Sequence, residues 1–243
     1  MKAVTIGTFN IQHGRDHAKY LETKTETIDL PLMASVVRNE GLDICALNEV
    51  RNDEAIGRYH QARELGEALS YHWRFLKAID SMGGEYGNAI VSRFPILSVK
   101  TYPLSIPKEA RTKGHYYEDR VLYAADLDVD GEILTVLGCH FGLAADEATL
   151  AAETAIRVLK EAQHPIVLLG DFNVVPTNPV YALLAEHFTD AADDTAPYFT
   201  FPSHAPSRKI DYIFTANGAT ATDFTVCPEI ASDHRAVKAT VTI

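Results

Sequence analysis

Four side chains with oxygen donors, Asn10, Glu49, Asp171 and Asp233, are spread over the chain, each close to the end of an apolar segment. Hard divalent cations such as Mg²⁺ (or Mn²⁺) take oxygen ligands, and Mg²⁺ uses one or two protein carboxylates beside waters and phosphate oxygens. Two histidines, His140 and His234, follow or adjoin further apolar runs. An imidazole held by a carboxylate can donate to or accept from a phosphate and its water near neutral pH. Taken singly, each oxygen donor has an ordinary explanation: Asn10 a turn, Glu49 a strand-end charge, Asp171 an Asx turn, Asp233 a cap. His17, His60, His72, His164 and His187 have no motif around them and are set aside.

The elements that must position these residues can be traced from patterning. Val4 to Phe9 is a β-branched and aromatic strand that ends at Asn10 and delivers the polar loop Gln12-His13-Gly14-Arg15-Asp16. A helix is expected from about Thr27 to Arg38, stopped at Gly41, and a short strand from Asp43 to Leu47 ends in Asn48-Glu49. A second helix is expected over Ala55 to Leu69 and a strand over Trp73 to Ile79. After Gly83-Gly84, strands near Asn88 to Ser92 and Ile96 to Thr101 read as a hairpin about Arg93-Phe94-Pro95. Val121 to Val129 and Ile133 to His140 flank Asp130-Gly131, a dipeptide suited to a two-residue turn. Asp146 to Ala162 reads as a helix, Ile166 to Leu169 as a buried strand before Gly170-Asp171-Phe172-Asn173, and Asn178-Pro179 as a capped helix start. Strands are expected at Tyr198 to Phe201, Lys209 to Phe214, Thr222 to Val226 and Ala236 to Ile243. Hairpins mixed with helix-separated strands point to mixed sheets with outer helices in a single domain spanning 1–243.

Composition narrows the function. The net charge is −11, with 22 basic against 33 acidic residues and no basic run. Affinity for duplex DNA comes mostly from Lys and Arg neutralising phosphates, so nucleic acid is disfavoured as a partner and a small phosphorylated substrate suits the balance better. Cys45, Cys139 and Cys227 lie in apolar stretches without metal-ligand spacing and read as buried free thiols. No stretch reaches the roughly 18 apolar residues of a membrane span. With no charged leader before an apolar segment, the cytoplasm is the expected location.

Together the motifs resemble the endonuclease/exonuclease/phosphatase superfamily, the DNase I-like metal-dependent phosphohydrolases. The resemblance rests on Thr8-Phe9-Asn10-Ile11, Leu47-Asn48-Glu49-Val50, Gly87-Asn88 through Pro95-Ile96, Gly170-Asp171-Phe172-Asn173, Ile210-Asp211-Tyr212-Ile213-Phe214 and Ser232-Asp233-His234, in that order. It implies an α/β (α+β) fold, a four-layer α/β/β/α sandwich of two packed mixed sheets with outer helices. It also implies that Glu49 is the principal metal carboxylate with Asn10 beside it, and that Asp233 lies near a second metal position. Asp171 and Asn173 resemble the pair that activates water and holds the phosphate. His234, with Asp211 fixing its tautomer, would contact the scissile phosphate. His140 resembles a histidine that binds or protonates near the leaving group, with Glu85 as its carboxylate partner. Arg120 and Asn88 resemble substrate-binding or supporting residues.

The implied activity is metal-dependent hydrolysis of a small or lipid-derived phosphoester by direct attack of water. No serine or cysteine sits in a nucleophile motif. The alternatives are a DNA endonuclease or exonuclease of the same superfamily and a noncatalytic binding module on this fold. Asn48 stands where the family usually has glutamine, and Arg235-Ala236 follow Ser232-Asp233-His234 where an apolar residue and proline are common. Substrate choice is expected from the first loop, through His13 and Arg15, and from Lys108 to Tyr117, with Ser207-Arg208-Lys209 adding cations.

Overall fold

Val4, Ile6, Ile44, Ala46 and Ile90 meet Val121, Tyr123, Leu134, Val136, Val167, Leu169 and Ile213 in one apolar layer, and that layer joins two sheets face to face. The computed structural model describes residues 2–193 and 195–243. In chain order its strands are β1 (Ala3–Asn10), β2 (Ile44–Asn52), β3 (His72–Ser81), β4 (Gly84–Ser92), β5 (Ile96–Leu104), β6 (Arg120–Val129), β7 (Glu132–His140), β8 (Ile166–Asp171), β9 (Thr189–Asp190), β10 (Asp211–Ala216), β11 (Thr220–Val226) and β12 (Val237–Thr242). The α-helices are α1 (His17–Thr23), α2 (Leu30–Asn39), α3 (Gln61–Leu69), α4 (Ala145–Glu161) and α5 (Pro179–Ala185). One sheet has the order β11-β12-β1-β2-β4-β3 and the other β5-β6-β7-β8-β10-β9. Both are mixed: β1 runs parallel to β2 and β7 parallel to β8, while the other pairings are antiparallel.

The helices cover the outer faces. Met33, Val36 and Val37 of α2 and Leu65 of α3 pack on Phe9, Cys45, Leu47 and Val91 of the first sheet. Ala151, Ala155 and Ile156 of α4 and Leu184 of α5 pack on Leu122, Leu137, Cys139 and Leu168 of the second. Neighbouring residues of one strand thus serve two different cores, as the two-residue period of a strand requires. Burial on both faces explains why these strands read as continuous apolar runs, and it encloses all three cysteines. The expected four-layer α/β/β/α sandwich is the fold observed.

Close packing dictates two glycines, one between the sheets and one within a sheet. A Cβ on Gly138 would run into the Tyr123 ring, which crosses the layer to place its hydroxyl on Ala89 O at 3.3 Å. Gly170 has φ 148°, and a Cβ there would meet the Cys139 carbonyl of the neighbouring strand.

Four local expectations change. Arg93-Phe94-Pro95 is not a hairpin turn but the passage from one sheet to the other, because β4 is already paired on both sides, by β2 and β3, and Phe94 is buried between the sheets. The helix expected over Ala55 to Leu69 is interrupted: a 3₁₀ turn at Glu54–Ile56 ends at left-handed Gly57, and α3 starts afresh at Gln61 behind His60. Tyr198 to Phe201 forms no strand beyond a bridge from Phe201 to Arg208, and Thr189–Asp190 is the short edge strand instead. Asp16, read as part of a loop, caps an additional helix, α1, by accepting from Lys19 N at 2.9 Å. The Asp130-Gly131 turn is as expected, with both residues at positive φ and Val129 opposite Glu132.

Candidate active site

The period of two that sends Val4, Ile6 and Thr8 toward the inter-sheet layer sends Asn10 the same way at the end of β1. The same parity places Asn48 after Ala46, Asn88 before Ile90, His140 beyond Val136 and Gly138, Asp171 after Leu169, and Asp211 before Ile213. Each strand contributes apolar residues to the layer and one polar residue where the layer ends. The polar residues therefore converge as the mouth of the inter-sheet core.

Glu49 needs a further device, since strict alternation would turn it toward the outer helices with Cys45 and Leu47. The register of β2 against β4 shifts between Leu47 and Val50, and Glu49 sits at φ 59° within this bulge. A bulge re-aims side chains in this way, and Val50 resumes outer-face packing. Glu49 Oε1 thereby accepts from Asn10 Nδ2 at 2.9 Å, and its carboxylate also holds the Tyr86 hydroxyl, a contact that no motif announces.

Asp171 lies at the centre. Its Oδ2 accepts from Asn10 Nδ2 at 3.1 Å and stands 3.4 Å from His140 Nε2 and 3.6 Å from His234 Nε2, while Oδ1 accepts from Asn173 N at 2.9 Å. Asn173 adopts φ 53°, a left-handed conformation that Asn tolerates better than most residues. Its amide Nδ2 faces His140 Nε2 at 3.1 Å and donates to Phe141 O at 3.1 Å. His234 Nδ1 is 2.9 Å from Asp211 Oδ2, and the Phe201 ring lies against the imidazole.

The electrostatics separate these groups. Burial pushes Asp171 up to about 7, with His234 opposing and Asp211 assisting the rise. Burial alone would lower His234, but Asp211 and Asp171, together with the hydrogen bond to Asp211, outweigh it and raise the imidazole to about 10. His140 is held well below the usual histidine range by burial, then by Arg120 and His234. Asp233 is raised by burial against the pull of His234, and the Glu49 carboxylate raises it further.

Oxygen donors suited to a hard cation gather between Glu49, Asn10 and Asp233. The Glu49 carboxylate raises the proton affinity of Asp233, and a cation between the two would relieve that repulsion. Asp171, Asp211 and His234 also bring ligand atoms within 4.8 Å of one another, but Asp211 Oδ2 and His234 Nδ1 already face each other. That group reads as a carboxylate–imidazole pair beside a second carboxylate.

Several expected residues take other parts. Glu85 does not reach His140: it accepts from Asn52 Nδ2 at 2.8 Å and pairs with Lys77 at 3.3 Å, because β4 carries it beyond the bulge to a position opposite Asn52 of β2. Arg120 occupies that position, with Nη1 3.3 Å from His140 Nδ1 and 2.6 Å from Glu118 Oε1. Asn88 is buried with its amide engaged, accepting from Asn48 Nδ2 and donating to Val121 O, each at 2.9 Å. Asn48 in turn accepts from Asp171 N at 2.9 Å. The residue that departs from the family pattern is thus a tie between the sheets. Arg15 donates to Gln12 Oε1 at 3.0 Å and Gln12 Nε2 to Asp233 Oδ2 at 2.7 Å, so the first loop is joined to the site through Gln12. His13 pairs with Glu26 at 3.4 Å. Arg111 turns to Asp119 and Lys209 to Asp190, so neither cation is free for an anionic ligand.

A groove of about 310 Å³ lined by Lys100, Tyr102, Asp126 and Glu161 lies at the other end of the second sheet. It holds no comparable convergence of chemistry, and the strand-end cluster is the site on which function is argued.

A two-sheet sandwich with outer helices, carrying carboxylates, amides and imidazoles at the mouth of its central layer, defines a DNase I-like fold. The chain belongs to the Endonuclease/Exonuclease/phosphatase family, whose sequence pattern matches residues 7–234. Uncharacterized protein YbhP of Escherichia coli (strain K12) is 29% identical over 238 residues, covering 87% of this chain and 88% of that protein. Among solved structures, the mannosyl-6-phosphatase of Bacteroides thetaiotaomicron VPI-5482 superposes with TM-score 0.76 at 20% identity, covering 99% of this chain and 100% of that one. The human Nocturnin catalytic domain with bound sulfate superposes with TM-score 0.70 at 19% identity, covering 99% and 93%.

Proposed function

We propose that the protein is a divalent-metal-dependent hydrolase that cleaves a phosphoester bond in a small or lipid-derived substrate by direct attack of water. The observation that carries this reading is the Asp171 carboxylate, whose Oδ2 is shared by Asn10, His140 and His234 while Asn10 bridges it to Glu49. One group at the meeting point of an oxygen-donor cluster and two imidazoles suits a base that takes a proton from water beside a bound phosphate.

Glu49 and Asn10, with Asp233 close by, would hold Mg²⁺ or Mn²⁺, and the ion supplies charge that polarises a phosphoryl oxygen. Asp171 orients the attacking water and takes its proton. His234, kept charged by Asp211, stabilises negative charge on the phosphoryl oxygens, and Asn173 adds an amide donor. A pentacoordinate phosphorus then collapses with loss of the leaving oxygen. No covalent enzyme intermediate is needed.

The net charge of −11 and the internal pairing of Arg111 and Lys209 favour a small phosphoester over duplex DNA. The Bacteroides fold-mate named as a mannosyl-6-phosphatase is compatible with a phosphomonoester, although the likeness to it is one of fold. Purified protein with Mg²⁺ or Mn²⁺ is to be assayed against sugar phosphates, an aryl phosphodiester, a phospholipid and plasmid DNA. Turnover of small phosphoesters above DNA is the expected result. Efficient DNA cleavage with no small-molecule turnover would favour the nuclease alternative, and no hydrolysis of any of them the binding module.

A further inference from the structure

His140 and His234 share the Asp171 carboxylate on Nε2, at 3.4 Å and 3.6 Å, and differ at Nδ1. His234 Nδ1 faces the Asp211 carboxylate at 2.9 Å. His140 Nδ1 faces the Arg120 guanidinium, Nη1 at 3.3 Å, and Asn173 Nδ2 stands 3.1 Å from its Nε2. The Asn173 amide is oriented by its second hydrogen bond, to the Phe141 carbonyl, so nitrogen and not oxygen faces the ring. A guanidinium carries donors and no acceptor, and it keeps its charge in proteins. An imidazolium donates from both nitrogens, so a protonated His140 would set its Nδ1–H against the N–H of a cation. A neutral ring with its proton on Nε2 removes that conflict, because Nδ1 then accepts from Arg120 while Nε2–H faces Asp171.

Charged groups reach His140 from three directions. Arg120 comes from β6, Asp171 from β8 at 3.4 Å, and His234 from the segment before β12. Asp171 favours a proton on His140, but it is shared with Asn10 and His234, whereas Arg120 meets His140 directly. Arg120 is fixed from behind. Glu118 Oε1 pairs with its Nη1, Glu118 Oε2 accepts from the Tyr116 hydroxyl at 2.7 Å, and Glu118 N donates to Glu147 near the start of α4 at 3.0 Å.

We propose that Arg120, anchored by Glu118, is a positioning residue that holds His140 as a neutral imidazole through the reaction, so that His140 does not protonate the leaving oxygen. This rests on the phosphoester-hydrolase reading for its consequence, not for the charge state itself. The P–O bond breaks with its electron pair on the leaving oxygen, which takes its proton from solvent water. Hydrolysis therefore depends steeply on the acidity of the leaving alcohol, and esters of acidic alcohols are the preferred class.

The test is an NMR titration of the full chain labelled with ¹⁵N-histidine, the His140 signals being assigned by their loss in His140→Gln. His140 is expected to remain neutral as the pH is lowered through the ordinary histidine range. A wild-type His140 that titrates near or above 6.5 overturns the proposal, whether or not any activity has been found. In Arg120→Met the His140 titration is expected to move up in pH, and kcat to fall roughly tenfold, as for loss of a partner that orients a reactive group. KM should change little, and Arg120→Lys should restore both. An Arg120→Met protein that folds and leaves the His140 titration where it was also overturns it. If the charge state is as expected and no phosphoester is turned over, the functional reading fails while the assignment of Arg120 stands.

Discussion

Asp171 and Asp211 are both buried carboxylates at the same strand-end mouth, yet they do different work because of what faces them. Asp171 is held by neutral amides and lies near two imidazoles, so it can exchange a proton with water. Asp211 is committed to His234 Nδ1, and its other oxygen has no hydrogen-bond partner among the described residues. Asp211→Asn keeps the shape and removes the charge that holds His234 protonated. We expect kcat to fall by about 10²–10⁴-fold, the range for loss of a positioned proton-transfer group, with KM changed far less. Steady-state kinetics on any substrate the wild type turns over checks this, and equal losses in binding and turnover would place Asp211 in binding.

Among the elements, β2 is where local departures from regularity create function. Its bulge turns Glu49 into the site, and Asn48 beside it links Asp171 of β8 to Asn88 of β4 and, through Asn88, to β6. Asn48→Ala leaves the Asp171 amide and the Asn88 carbonyl oxygen buried without their partner, at about 1–3 kcal/mol for each group. Urea unfolding should show that loss, and a change below about 0.5 kcal/mol would mean the tie is replaced by water or relaxation. Helix α3 adds a pH dependence. His60 Nδ1 caps it by accepting from Arg63 N at 3.3 Å, and burial holds the imidazole below its ordinary 6.5. A folded pKa below the unfolded one means that the unfolded chain binds the proton first. The contribution to stability is therefore full above about 6.5 and is lost as pH falls through and below that value. His17, also lowered by burial, acts in the same sense. Replacing the cap in His60→Asn should flatten the fall in unfolding free energy between pH 7 and 5. An unchanged slope would remove His60 as its source.

Across the whole molecule, mixed sheets with outer helices were legible because buried strands read as apolar runs and helices as amphipathic stretches between them, while the four-layer stacking came from the family resemblance. The site was legible for the same reason: Asn10, His140 and Asp171 are the polar residues on which apolar runs stop. Features that depend on tertiary pairing were not. Nothing local tells that β4 is flanked on both sides, so Arg93-Phe94-Pro95 read as a hairpin. Histidine is an unusual cap, so the break before α3 was hidden. Arg120 replaces Glu85 beside His140 through the register of β6 on β7, which a strand's own residues do not encode. Tyr86 came to Glu49 only through the bulge.

In the proposed reaction the Glu49 cluster is the part that makes hydrolysis depend on a metal. The most direct measurement compares wild type with Glu49→Gln on one small phosphodiester, with Mg²⁺ or Mn²⁺ titrated in and removed by chelation, folding being checked by circular dichroism. Wild-type hydrolysis is expected to vanish on chelation and return with metal. Folded Glu49→Gln is expected to lose at least about 10²-fold in activity or to need far more metal. Hydrolysis that survives chelation, or a Glu49→Gln protein with wild-type rate and metal dependence, would contradict this assignment.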